Sequence, residues 1–96
     1  MADDAQYREL VETDVYNAQL ETFAQKYSDE ILEAALQGVL WGLATNPERY
    51  DQVSGNIRIA RSRSFDENDP CFKIFFGIQD EKVILLWIEE IISIEE

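Results

Sequence analysis

"NPERYDQVSGNIRIARSRS", residues 46–64, is the stretch where the chain changes its period. Before it, apolar residues recur every three or four positions; after it, they alternate. Asn46-Pro47 closes a helix, because the residue preceding a proline avoids helical geometry. "SGN" reads as a turn. "IRIARSRS" then places Ile57, Ile59, Arg61 and Arg63 on one side of a strand, and Arg58, Ala60, Ser62 and Ser64 on the other.

Upstream, Tyr16, Leu20, Phe23 and Tyr27 share one helical face. The spacing predicts a helix over 15–26, with Asp14 as its cap. A second helix is expected over 29–45. Ser28 is its N-cap, and Asp29 and Glu30 sit where the helix dipole favours negative charge. Ile31, Ala35, Val39 and Leu43 form its stripe, with Leu32, Leu36 and Leu40 beside it. Gly38 and Gly42 are expected to allow close packing. The segment 7–13 suits either a helix or a short edge strand.

Downstream, "CFKIFFGI" and "VILLWIEEI" are apolar on both sides of the pleat, as central, well-covered strands are. Strands are expected near 56–64, 71–79 and 82–91, joined by "DENDP" and "QDEK". The whole is an α+β fold in a single domain, residues 1–96: a helical hairpin packed on one face of a small twisted antiparallel sheet.

The chain carries a formal net charge of −12, which disfavours a large nucleic-acid footprint. The charge is uneven. Residues 1–54 hold three basic and eleven acidic groups, residues 55–78 four and three, and residues 79–96 one and six. A small anion or an acidic segment therefore has one place to bind, the middle block. The single cysteine, Cys71, permits no internal disulfide and fits a reducing compartment; it is expected as a buried small residue. With no histidine, sites that need imidazole are excluded, and no metal or cofactor is expected. "DENDP" lacks the spacing of a calcium loop. The start "MADDAQYREL" lacks the marks of a signal peptide, and no apolar run reaches spanning length, so a cytoplasmic protein without membrane contact is expected. Trp41 and Trp87 read as core. Tyr50 reads as a packed tyrosine with its hydroxyl at the surface.

The order of a helical hairpin ending in "LWGLATNPERY", then "VSGNIRIARS", "CFKIFFGI" and "VILLWIEEI", resembles the RelE/ParE superfamily of bacterial toxin–antitoxin toxins over roughly residues 14–91. The resemblance implies a short strand ahead of the hairpin. It also implies one of two activities, messenger-RNA cleavage on the ribosome or inhibition of DNA gyrase. By position, Arg61 and Lys73 resemble the basic residues that hold the scissile phosphate, with Arg63 as a neighbour. Fixed cations there would stabilise a phosphate gaining charge in the transition state. The tail "WIEEIISIEE" departs from the nuclease pattern, being acidic and without Tyr or His.

The expectation is therefore a type II toxin-fold component acting mainly through protein–protein binding, with a small antitoxin as partner. One alternative is a ribosome-dependent mRNA interferase, with RNA as partner and Arg61, Arg63 and Lys73 as catalytic residues. The other is a non-toxic homodimer. A bland alternative is that the arginines form a solvated face paired with Asp66, Glu67 and Asp69.

Overall fold

The computed structural model describes residues 7–62 and 70–91. The chain order is β1 (Glu9–Glu12), α1 (Asp14–Lys26), α2 (Asp29–Thr45), a single turn of 3-10 helix (Pro47–Arg49), β2 (Gln52–Ser54), β3 (Ile57–Arg61), β4 (Cys71–Gln79) and β5 (Lys82–Ile91). Both helices pack on one face of a five-stranded sheet of order β1-β5-β4-β3-β2. The α+β expectation of a helical hairpin on one sheet face holds. β2 to β5 are antiparallel; β1 joins β5 in parallel and makes the sheet mixed.

β1 forms in the ambiguous segment because its long-range partners outweigh its helical propensity. Leu10 lies beside Val83 and packs against the core. At its end Thr13 ties three elements together. Its Oγ1 donates to the Leu85 carbonyl (2.7 Å) and accepts from the Tyr16 N–H (3.2 Å). Thr13, rather than Asp14, is thus the N-cap of α1, and Asp14 occupies the first turn. Ser28 caps α2 as expected, accepting from the Ile31 N–H at 3.3 Å.

The core lies between helices and sheet. Tyr16, Leu32, Ala35, Leu36, Val39 and Leu43 meet Ala60, Phe72, Ile74, Phe76, Val83, Leu85 and Ile88. Phe23 and Tyr27 add tilted and edge-on contacts to the Phe72 ring, at 5.0 and 6.2 Å between centroids. Leu85 and Ile88 are three apart, so strict alternation would put them on opposite faces. An irregularity at Leu86 breaks the register between Phe75/Trp87 and Phe76/Leu85 and returns both to the core. Beyond the reach of β1, the Ile88 N–H is satisfied by Gln19 Oε1 of α1 at 2.8 Å.

The two glycines of α2 behave differently. A Cβ at Gly42 would overlap the Tyr50 hydroxyl, so this glycine makes room for the tyrosine, whose ring meets Phe76 edge-on at 5.9 Å. Gly38 faces open space and supports no close packing. Trp41 is also a correction. It is 59% exposed and lies against Tyr7 at 5.3 Å, outside the core. Among the described residues no helix is long and apolar enough to cross a membrane.

A candidate binding face on the open side of the sheet

The alternation read in 57–63 divides β3 between two surfaces. Arg58 and Ala60 face the helices; Ile57, Ile59 and Arg61 face away. Arg58 has a structural task. Its Nη1 donates to the carbonyls of Glu48 (3.1 Å) and Tyr50 (2.7 Å), holding the segment that follows α2. Arg8 pairs with Glu48 at 2.7 Å in the same region.

On the far side, the antiparallel registers line up side chains in rows. Arg61, Lys73 and Glu89 form one row across β3, β4 and β5. Ile59, Phe75 and Trp87 form the next. Ile57, Gly77, Ile84 and Val11 form a third, which reaches β1. Neighbours within a row lie roughly 5 Å apart at Cβ, so each row acts as one continuous surface. No described helix covers these rows, although Ile59 is itself buried. Trp87 is 41% and Ile57 38% exposed. The expectation that β5 is well covered on both faces fails here, because the helices cap only one.

The charged row is partly neutralised from within. Glu89 Oε1 lies 3.6 Å from Lys73 Nζ, and Glu89 Oε2 accepts from Trp87 Nε1 at 2.7 Å. Lys73 Nζ also lies 5.9 Å from the centre of the Phe75 ring. Arg61 is exposed at the open end of the row. The expected set Arg61, Arg63 and Lys73 is thus brought together for two members, as direct cross-strand neighbours; Arg63 lies outside the described residues. Asp66, Glu67 and Asp69, and the "DENDP" turn, lie outside them as well. A scissile phosphate here would meet Arg61 first, and Lys73 only in competition with Glu89.

Trp87, expected in the core, is instead exposed on this face, because the helices cap only the other one. Phe75 and Glu89 were not singled out by the sequence pattern. Phe75 lies two residues from Lys73, and Glu89 two from Trp87, so a period of two marks them once the register is known. Tyr50 packs as expected, with its hydroxyl accepting from Arg49 Nη2 at 3.3 Å. Cys71 is half-buried rather than buried. Among the described residues no group of three Cys, Asp or Glu side chains is placed to hold a metal ion.

No family model matches this chain. No curated protein matches it either.

Proposed function

We propose that this chain is the toxin-fold component of a type II toxin–antitoxin system, acting mainly through protein–protein binding with the open sheet face as its contact surface. One observation supports this above the others: two apolar rows bearing exposed Trp87 and Ile57 lie beside a charged row ending in exposed Arg61. Interface centres favour aromatic residues and arginine over lysine and glutamate. The partner that suits the face is a small antitoxin, presenting apolar side chains to Ile57, Phe75 and Trp87 and a carboxylate to Arg61. The net charge of −12 and the Lys73–Glu89 pair both count against a polyanionic substrate.

The experiment is co-expression with the product of a short adjoining reading frame, followed by co-purification and binding measurement. Wild-type protein retains the partner. A Trp87→Ser, Ile57→Ser variant, altered only at exposed positions, binds at least about tenfold more weakly. Equal retention by both overturns the reading. Codon-phased messenger-RNA cleavage on induction, abolished by Arg61→Gln, establishes the interferase instead.

A further inference from the structure

A groove of about 780 Å³ runs between α1 and α2 on the side of the molecule opposite the open sheet face. Leu20 and Leu40, both partly exposed, line it above the buried Leu32 and Leu36, and Glu21, Asp29 and Glu33 stand exposed at its rims. From Leu32 to Leu40 is two turns of helix, roughly 12 Å at 1.5 Å per residue. That length accepts three apolar side chains spaced i, i+4, i+7 on an incoming helix.

The rim charge selects among occupants. Residues 14–45 carry five carboxylates, Asp14, Glu21, Asp29, Glu30 and Glu33, against the single cation Lys26. Lys26 is directed elsewhere, pairing with Glu90 of β5 at 3.0 Å. A second copy of this chain would bring the same acidic rims against each other, within molecules already at −12. A cationic helix gains from the same field.

We infer that the α1/α2 groove is a docking site for an amphipathic helix of another protein, one with an apolar stripe flanked by Lys and Arg. This does not rest on the toxin–antitoxin reading, since the groove and the open sheet face are separate surfaces.

The probe is a synthetic helical peptide of about 18 residues, long enough to hold helix in water, with Leu at i, i+4 and i+7 flanked by Lys and Arg. Its acidic counterpart replaces every Lys and Arg with Glu. Binding is followed by amide chemical shifts of the full chain. The basic peptide shifts residues along Leu20–Ala24 and Leu32–Leu40, and the acidic one leaves them unmoved. Glu21→Lys, Glu33→Lys, both at exposed positions, weakens the basic peptide at least about tenfold. Trp87→Ser leaves its affinity unchanged, which separates this site from the sheet face. The inference is overturned by any of four results: no shift at a peptide concentration of about 1 mM, the weak-binding limit; shifts confined to the sheet; equal affinity of the charge-reversed variant; or self-association of the chain that the peptide abolishes, which would make a second copy the occupant.

Discussion

The two faces of the sheet are built from the same strands, yet neighbouring residues on one strand do unlike work. On β4, Phe72 is fully buried under Phe23 and Tyr27, while Phe75 stands between Ile59 and Trp87 on the uncovered side. On β3, Arg58 is spent on backbone carbonyls, while Arg61 is exposed. On β5, Glu90 is engaged by the C-terminal end of α1 and Glu89 by its own sheet. The helix-facing side is where polar groups are satisfied and apolar groups fully covered. Among the described residues the other side carries no helix and leaves Ile57 and Trp87 exposed, although Ile59 between them is buried.

The largest contrast belongs to β4. Phe72→Ala is expected to cost about 3–5 kcal/mol, through lost burial and a cavity between helices and sheet. Phe75→Ala is expected to cost no more than about 1–2 kcal/mol, because part of its surface already meets water. Urea unfolding of both variants measures the difference. Equal losses would mean that the second face is as well covered as the first.

The two arginines of β3 give the next. Arg58→Gln strands two carbonyls after α2 and is expected to cost about 1.5–3 kcal/mol. Arg61→Gln is expected to change stability by less than about 0.5 kcal/mol while weakening partner binding. A destabilised Arg61→Gln would recast that residue as another structural arginine.

How far the sequence reveals this division depends on which residues carry it. The helices are legible from Tyr16–Tyr27 and from Ser28–Thr45, because burial on one side imprints a helical period. β4 and β5 are legible as long apolar runs. β2 is not, since Gln52, Val53 and Ser54 are all exposed and impose no pattern. β1 is settled only by its parallel pairing with β5, a contact some seventy residues away in sequence. The face of Trp87 is hidden for a different reason. The irregularity at Leu86 interrupts the period of two, so "VILLWIEEI" looks apolar on both sides although one side is open. Arg61 and Lys73 were recoverable because no irregularity separates them.

The same inward and outward contrast runs along α2. Gly42→Ala forces Tyr50 from its place and is expected to cost about 1–3 kcal/mol. Gly38→Ala enters open space in a helix interior and is expected to gain about 0.5–1 kcal/mol. Thermal midpoints of the pair should therefore move in opposite directions. A stabilised Gly42→Ala would show that Tyr50 has another position of equal energy.

The smallest expected effect compares Glu90 with Glu89 and depends on pH. Burial alone would raise the Glu90 carboxyl above its usual range. The Tyr27 hydroxyl and Lys26 ammonium, both donating to it, outweigh burial and hold it below that range. Tyr27 is displaced upward, first by its hydrogen bond to Glu90 and then by burial. A carboxyl depressed in the folded state adds stability that is complete above its unfolded value, about 4.3, and is lost as pH falls through the folded one. A tyrosine raised in the folded state adds stability that is complete below its unfolded value, about 10, and is lost as pH rises through the folded one. Tyr27→Phe removes the shared hydrogen bond. It should cost on the order of 1 kcal/mol at neutral pH. Its gap from wild type should narrow below the carboxylate range and again in strong alkali. Glu89→Gln, on the open face, should change stability at neutral pH by less than about 1 kcal/mol, the scale of an exposed pair. Urea midpoints at acid, neutral and alkaline pH decide the matter. A constant gap for Tyr27→Phe would assign the stabilisation of ionised Glu90 to Lys26 alone, and the helix-facing glutamate would then differ from its neighbour only in which lysine it meets.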